Sequence, residues 1–157
     1  MQVLEFDTVV IGSGLAGLIT AFHASEYGKV AIISKSGLDI SNSYNAQGGI
    51  AAAIDEGDSP KLHMEDSMTA GRDLCDYDAL EILVNEGIEC VSDLIKKGMP
   101  FDRKDGEIIL GLEGGHKKRR ILHAGGDATG KVLTQFVLNR VLEKSNIVSF
   151  ENTTVVD

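Results

Sequence analysis

An α/β fold with a parallel sheet is predicted from two apolar runs and the glycine cluster between them. Residues 6–11 form a short run of mostly β-branched residues, a glycine cluster follows at once, and a second apolar run spans Val30–Ile33. Continuous apolar runs of this kind are typical of buried parallel strands. The residues between the runs place apolar side chains at helical spacing, at Leu15, Leu18, Ile19 and Phe22, before a stop at Gly28. The first 35 residues therefore predict a strand–helix–strand unit with a right-handed crossover.

The composition argues against several classes of partner. The 157 residues carry a formal net charge of −9, which repels phosphate backbones and anionic lipid and so predicts no nucleic-acid or membrane partner. No apolar run approaches the roughly 18 residues of a membrane span, and Glu5 and Asp7 interrupt any N-terminal secretion signal. Cys75 and Cys90 match no zinc or redox spacing, so both are expected to be reduced thiols of a cytoplasmic protein.

A long loop and a helix are expected after the second strand. Residues 36–58 are rich in small and polar residues and show little periodicity, which predicts a loop with one helical turn at residues 49–53. Ser59 and Pro60 then predict the N-cap and the first turn of a helix.

Further elements follow from apolar spacing and glycine stops. A second helix is expected after Asp76, with Gly87 breaking or kinking it and Gly98 ending it. The remaining elements are predicted as turns at residues 99–106, a short strand at 107–112, a loop at 113–130, a helix from Lys131 to near Asn146, a strand at Ile147–Phe150 and the start of another at 153–156.

The strands at residues 6–11, Val30–Ile33 and Ile147–Phe150 are expected to pair in the order 3-2-1, as in dinucleotide-binding folds. The other edge of the first strand is then open, and an open edge on a buried parallel strand is sticky. We therefore expect the chain to be the front part of a longer protein. Its predicted parts are a βαβ unit at residues 1–35, an insertion at 36–130, and a helix with return strands at 131–157.

The glycine cluster predicts a dinucleotide site. Residues 12–17 (GSGLAG) match the pattern G-x-G-x-x-G. Gly12 permits a tight turn out of the strand, Gly14 lets the backbone approach a pyrophosphate, and Gly17 lets the helix pack closely on the strand. The N-terminus of the helix then offers N–H groups and a partial positive charge to a phosphate. This combination indicates a Rossmann-like fold.

The second strand ends in Ser34 and Lys35, where an acidic residue usually binds the adenosine ribose. The Ser34 hydroxyl can make that hydrogen bond. Lys35 either places a cation near a ribose 2′-phosphate, which favours NADP, or is a solvated loop residue.

Residues 42–52 decide between these alternatives. The glycines and alanines of this segment leave its backbone free to approach a flat ring, and its polar side chains offer hydrogen bonds. Residues 46–51 (AQGGIA) resemble the flavin-contact loop of the FAD-dependent family that contains succinate dehydrogenase, fumarate reductase and L-aspartate oxidase. Because members of that family commonly carry Ser-Lys in place of the acid, the resemblance implies FAD and not NADP.

A second segment sharpens the resemblance. Residues 113–116 (EGGH), 119–124 (RRILHA) and 127–130 (DATG) are similar to the L-aspartate oxidases of this family. Many succinate dehydrogenases attach FAD covalently through a histidine before the flavin-contact loop, but the aligned residue in this chain is Asn42. The resemblance covers the whole chain and implies non-covalent FAD.

The resemblance also implies roles for individual residues. Glu113 is expected to orient the amino group of the substrate, since a carboxylate beside an ammonium favours the charged pair. His116 is a second candidate catalytic residue. Both His116 and His123 are expected either to bind a substrate carboxylate or to be ordinary loop histidines. The expected FAD-binding residues lie in the glycine turn, at the end of the second strand and in the flavin-contact loop: Gly12, Ser13, Gly14, Leu15, Ala16, Gly17, Ser34, Lys35, Asn42, Ser43, Tyr44, Asn45, Ala46, Gln47, Gly48 and Gly49.

Two other features have plain structural interpretations. Residues 117–120 (KKRR) form a basic run that is expected to be a solvated turn, with attraction of a dicarboxylate substrate as the alternative. His23, on the first helix, is expected to be structural.

By resemblance, the expected activity is oxidation of L-aspartate to iminosuccinate, the first step of NAD biosynthesis through quinolinate, with electrons passed to oxygen or fumarate. L-aspartate is the expected small-molecule substrate, and quinolinate synthase is the expected partner enzyme. The family's catalytic base and helical capping domains fall outside these residues, so the chain alone is expected to be inactive. A soluble fumarate reductase and a non-enzymatic FAD-binding module are the alternatives.

Overall fold

The computed structural model describes residues 3–72 and 74–156. The chain falls into two compact units, the first comprising Met1–Ala46 and Gly130–Asp157 and the second Gln47–Thr129. Within the described ranges, no helix combines the length and the apolar character needed to cross a bilayer. The elements in chain order are β1 (Thr8–Ile11), α1 (Leu15–Ala24), β2 (Val30–Ile33), β3 (Ile50–Ala51), α2 (Pro60–Gly71), α3 (Tyr77–Lys96), β4 (Arg103–Lys104), β5 (Glu107–Ile108), β6 (Leu110–Gly111), β7 (Ile121–Leu122), α4 (Thr129–Leu142) and β8 (Ile147–Phe150).

The first unit is built on a parallel sheet in the order β1-β2-β8. Strand β2 lies in the centre, where Ile32 is in register with Val10 of β1 on one side and with Ser149 of β8 on the other. Its residues Val30, Ala31 and Ile32 are at most 1% exposed. The predicted 3-2-1 order is therefore confirmed, and the most apolar of the predicted strands is the one covered on both edges.

Helix α1 follows β1 and packs against β1 and β2, with Leu18 and Ala21 fully buried. This close packing requires glycine at position 17, because a Cβ there would overlap the carbonyl oxygen of Gly12. The helix ends at Ala24, earlier than the stop predicted at Gly28.

Helix α4 ends at Leu142, short of the predicted end near Asn146. The Asn146 side chain instead donates from Nδ2 to the carbonyl oxygens of Ser25 and Gly28, at 2.6 and 2.7 Å. The backbone carbonyl oxygen of Asn146 accepts the N–H of Val30 at 2.9 Å. One amide side chain therefore ties the start of β8 to the turn that follows α1.

The second unit contains α2, α3 and a small antiparallel sheet in the order β3-β7-β6. Ser59 caps α2 by accepting the N–H of Leu62, and Asp76 caps α3 by accepting the N–H of Ala79. Both predicted helix starts are thus confirmed, and α2 packs against α3.

The short strands of the second unit were not predicted correctly. The helical turn predicted at residues 49–53 is wrong, because Ile50 and Ala51 form β3 and Ile50 is in register with Leu122 of β7. The predicted loop at 113–130 contains β7, and the predicted strand at 107–112 is divided into β5 and β6. Two-residue strands have no alternation of apolar and polar residues by which a sequence could reveal them.

The predicted break at Gly87 is also wrong, since α3 continues through it from Tyr77 to Lys96. Leu80, Val84 and Val91 lie on one buried face of this helix, and their burial outweighs the roughly 1 kcal/mol cost of a helical glycine. Gly98, with a φ of 84°, follows the end of the helix as predicted.

Two further predictions concern the C-terminal residues and the cysteines. The strand predicted at residues 153–156 is wrong, because these residues are in irregular structure and the N–H of Thr153 donates to Ser34 O at 2.9 Å. Cys75 and Cys90 are free thiols, as predicted.

The contacts of Asn146 predict a specific loss of stability. We expect Asn146→Ala to destabilise the protein by about 1–3 kcal/mol, because two partly buried carbonyl groups lose their donor. The measurement is the urea unfolding midpoint, with Asn139→Ala, an exposed position on α4, as the matched control. Equal midpoints for the two variants would contradict this role.

Candidate functional site

The first unit carries a cleft of about 370 Å³ at the carboxyl ends of β1 and β2. The glycine turn lines it, with Gly12 at a φ of 104° and its N–H donating to Ile33 O at 2.8 Å. A side chain at position 12 would be strained at that φ. Gly14 is the N-cap residue of α1 and supplies no side-chain cap. The cleft therefore meets a helix N-terminus, where anions bind.

The residues predicted to bind the ribose line the same cleft. Ser34 and Lys35 both border it, and Ser34 Oγ lies 3.1 Å from Ser13 Oγ, with both serines buried. This hydroxyl pair stands where an acid was expected, and it offers hydrogen bonds without adding a negative charge. The cleft is also lined by residues 153–155, which the sequence placed in a strand and not at a site.

Ser43 lies at the start of α1, where its Oγ accepts the N–H of Leu15 at 3.0 Å. A Cβ on Gly14 would stand 3.4 Å from the same Oγ. The first unit therefore brings Ser43, predicted to line the flavin, against the glycine turn.

The predicted flavin-contact segment, residues 42–49, is divided between the two units after Ala46. In the first unit, the carbonyl oxygen of Ala46 accepts the N–H of Gly130 at 3.1 Å, and Lys131 Nζ lies 5.8 Å from the ring centre of Tyr44. Asn42 and Asn45 are exposed.

In the second unit, the glycines of this segment are fixed by neighbouring residues. Gly48, with a φ of 77°, donates its N–H to Asp127 Oδ1 at 2.8 Å. A Cβ on Gly49 would overlap the side chain of Ile121 on β7. The backbone of Gly48 and Gly49 is thus positioned by a carboxylate and by a strand, while Gln47 is exposed.

The predicted substrate residue Glu113 is paired with a histidine. Glu113 Oε1 lies 3.0 Å from His123 Nε2, and the two side chains are 50% and 27% exposed. The second unit does not bring His116 to this pair, since the His116 ring lies against Arg120, with Nδ1 3.5 Å from Nη1. Of the two histidines in this region, His123 is therefore the one whose side chain contacts the Glu113 carboxylate, whereas His116 donates its backbone N–H to Glu113 O at 3.2 Å.

Arg120 is the centre of a buried charged cluster. This finding corrects part of the prediction that residues 117–120 form a solvated turn. Its guanidinium is fully buried and binds Asp58 through Nε and Nη2, both at 2.8 Å, while Nη1 lies 3.2 Å from Asp66 Oδ2. Lys117, Lys118 and Arg119 are exposed, as expected for a solvated turn. Arg120 is not solvated, so a solvated turn is the wrong description for it.

Asp66 also holds the backbone of the same segment. Its Oδ2 accepts the N–H of Lys117 at 2.9 Å, and Lys117 Nζ lies 3.6 Å from Oδ1. The Lys117 N–H and the charges of Arg120 and Lys117 hold the pKa of Asp66 below its ordinary value, against the opposing effect of burial. A carboxylate in this position remains ionised and keeps both contacts.

His63 is buried beside the cluster, with its ring centre 5.6 Å from that of His116. Its Nδ1 has no hydrogen-bond partner among the described residues. Burial, followed by the charge of Arg120, lowers the pKa of His63, which outweighs the opposite effects of Asp58 and Asp66. His63 is therefore neutral at physiological pH.

Sequence reasoning missed Asp58, His63, Asp66 and Asp127. His63 and Asp66 are three residues apart on a helix, which places both on one face, but nothing local indicates that this face covers an arginine from a distant segment. The sequence identifies Asp58 only as the residue before the N-cap Ser59 and gives no sign of its ion pair.

Comparison with known proteins agrees with this geometry. Residues 7–157 match the FAD binding domain family, and the chain belongs to that family. Its cofactor is accordingly FAD.

Curated relatives include L-aspartate oxidases. The enzyme of Streptomyces coelicolor is 44% identical over 153 residues and that of Acinetobacter baylyi is 42% identical over 154 residues. The alignments cover 96% and 98% of this chain but 26% and 28% of the two relatives. The chain thus spans about a quarter of their length.

Solved structures with a similar fold include Escherichia coli quinol fumarate reductase FrdA, with a TM-score of 0.87 and 31% identity over 97% of this chain and 26% of that chain. The Mycobacterium smegmatis Sdh1 complex matches with a TM-score of 0.84 and 30% identity over 95% of this chain and 28% of that chain. These likenesses agree with the α/β architecture predicted from the sequence.

The residues of the first unit fit the phosphate and ribose parts of FAD. Gly12 leaves open space where a Cβ would lie, the cleft meets the N-terminus of α1, and Ser13 and Ser34 supply hydroxyls. Bare backbone beside a helix N-terminus is suited to a pyrophosphate.

The neutral His63 predicts a pH dependence of stability. In the unfolded chain this side chain binds a proton as the pH falls below 6.5, whereas the folded protein resists protonation until a lower pH. The contribution of neutral His63 to the free energy of unfolding is therefore fully present above pH 6.5 and declines below that pH. The contribution of ionised Asp66 is lost only below pH 3.8. We expect His63→Leu to flatten the decline that begins near pH 6.5, measured as unfolding midpoints between pH 5 and 7.5. His23→Leu, at an exposed helical site, is the control and should keep the wild-type slope; a flattened slope in both variants would contradict the assignment.

Proposed function

We propose that the protein oxidises L-aspartate to iminosuccinate in its full-length form. The observation that carries the proposal is the pairing of Glu113 with His123, which leaves a carboxylate half exposed and held in one place. The 44% identity to an L-aspartate oxidase supports it. FAD, when bound, supplies the hydride acceptor.

The residues of the first unit are proposed to bind the cofactor. The glycine turn, residues 12–17, binds the pyrophosphate through its backbone and the N-terminus of α1. Ser34 hydrogen-bonds the adenosine ribose, and Lys35 lies at its edge. Residues 42–49 contact the flavin, and the amide at Asn42 forms no covalent bond to it, so FAD is held non-covalently.

Glu113 is proposed to bind the amino group of the substrate. Because Oε1 already accepts a hydrogen bond from His123, Oε2 is the oxygen left to meet an incoming ammonium. Oxidation removes a hydride from Cα and a proton from the ammonium, which leaves the protonated imine. Loss of a second proton from the nitrogen then gives the neutral imine. The exposed Lys117 and Lys118 attract the dicarboxylate, a role that the buried Arg120 does not share. No described residue is assigned as the base.

Fumarate reduction is the second candidate, favoured by the TM-score of 0.87 to a fumarate reductase. Its substrate has no amino group, so Glu113 would have no ammonium to bind. Use of oxygen or fumarate as electron acceptor, transfer of iminosuccinate to quinolinate synthase and a cytoplasmic location stay predictions.

The test is turnover of the full-length protein with L-aspartate, compared with fumarate plus a reduced dye. We expect L-aspartate oxidation, and we expect Glu113→Gln to lower kcat/KM about 10- to 100-fold, because a hydrogen bond between charged groups is worth about 1.5–3 kcal/mol. Glu107→Gln, at an exposed position on β5, is the matched control and should keep wild-type kinetics.

Other outcomes identify the alternatives. Fumarate reduction without L-aspartate oxidation would overturn the proposal in favour of a fumarate reductase. A flavin absorbance spectrum without turnover of either substrate would instead indicate a non-enzymatic FAD-binding protein.

A further inference from the structure

The imidazole of His123 is confined between two glycines of the second unit. A Cβ on Gly49 would lie 3.1 Å from His123 Nε2, and a Cβ on Gly111 would lie 3.0 Å from Cε1. Both distances are tighter than ordinary van der Waals contact between carbon and a ring. The ring therefore fits because these two neighbours have no side chains, and one of them, Gly49, belongs to the predicted flavin-contact segment.

The backbone at His123 is also fixed. Its carbonyl oxygen accepts the N–H of Asp102 at 2.8 Å, and its chain neighbours Leu122 and Ala124 are fully buried. Leu122 is in register with both Ile50 and Leu110 in the small sheet. The histidine thus directly follows a strand that is paired on both edges, and its side chain is 27% exposed.

Glu113, in contrast, lies in an exposed segment and has a side chain with several rotatable bonds. Its side chain makes one hydrogen bond in the described part of the chain, from His123 Nε2 to Oε1 at 3.0 Å. A carboxylate only accepts hydrogen bonds when ionised, so Nε2 carries the proton. The position of this carboxylate is therefore set by a ring that itself rests against Gly49.

We propose that His123 is a positioning residue for Glu113, which it holds at a fixed place beside Gly49 so that the free carboxylate oxygen meets the substrate's ammonium. This inference rests on the proposed function. His123 acts through Glu113 and needs no contact with substrate. Without it, the glutamate side chain populates several rotamers, of which only some can bind the amino group.

This role predicts a selective effect on ligands that carry an ammonium group. Removing the donor should weaken the binding of L-aspartate and spare succinate, which has both carboxylates but no amino group. A general disturbance of the fold would weaken both ligands equally.

The experiment uses the full-length protein loaded with FAD and the variants His123→Leu and His123→Gln. We expect His123→Leu to raise the KM for L-aspartate about 10-fold, with a much smaller change in kcat. His123→Gln keeps an N–H donor and should restore much of the loss. The Kd of succinate, measured from the change it causes in the flavin absorbance spectrum, should stay within about 2-fold of wild type.

His23→Leu, the same substitution at an exposed helical site, is the control for the chemical change. If His123→Leu does not fold, Gly111→Ala replaces it, because the new Cβ presses on the ring without removing a polar group. Gly111→Ala should also raise the KM for L-aspartate.

Three results would overturn the inference. The first is an unchanged KM for L-aspartate in His123→Leu, or in Gly111→Ala where it replaces that variant. The second is an equal loss of L-aspartate and succinate binding. The third is a wild-type protein that does not oxidise L-aspartate, which overturns the proposed function and the inference with it, whereas the first two leave the proposed function standing.

Discussion

The second unit depends on the burial of one guanidinium. Arg120 has no exposed surface and is bound by two carboxylates, Asp58 and Asp66, which are themselves almost completely buried. An arginine cannot lose its proton to avoid burial, so the charge must be matched by ion pairs. Removing one partner of such a cluster typically costs about 3–5 kcal/mol, because it leaves an uncompensated buried charge. The cluster therefore fixes where the segment around Arg120 can lie.

The segment around Arg120 carries the proposed substrate residues. The N–H of Arg120 donates to Gly111 O, its carbonyl oxygen accepts the N–H of Ala52, and Asp66 accepts the N–H of Lys117. Residues 112–119 thus form a loop between Gly111 and Arg120. The C-terminal part of this loop is held by the hydrogen bond at Lys117 and by those of Arg120, the residue that follows it. Glu113 lies near the start of that loop and meets His123 just beyond its end, so the geometry of the pair depends on the cluster.

The first unit depends on a different constraint, the close approach of backbone to backbone. Gly17 lets α1 lie against Gly12 O, and Gly12 adopts a φ that other residues avoid. The result is a tight turn between the end of β1 and the start of α1, in which Gly12 and Gly14 leave the backbone bare and Ser13 carries the one side chain. This turn is the proposed pyrophosphate site, and it lies within the residues that match the FAD binding domain family.

The sequence predicted the parallel sheet and the helix starts well, and it predicted the short strands and the buried charges of the second unit poorly, for physical reasons. The parallel strands appear as continuous apolar runs, and the caps Ser59 and Asp76 are local signals that need no knowledge of tertiary structure. Strand β3, in contrast, is two residues long and is defined by pairing with Leu122 far along the chain. The burial of Arg120 depends on carboxylates from α2 and the loop before it, which no local pattern connects to a basic run. Resemblance to the family identifies Glu113, but only the tertiary structure separates its partner His123 from His116.

Amide hydrogen exchange in Arg120→Lys tests the role of the buried guanidinium directly. Lysine keeps the positive charge but cannot bind Asp58 through two parallel N–H bonds. We expect exchange about 10-fold or more faster in residues 111–123, with the parallel sheet β1-β2-β8 unchanged. Exchange in residues 111–123 that matches the wild type would contradict the claim that the buried guanidinium holds the segment carrying Glu113.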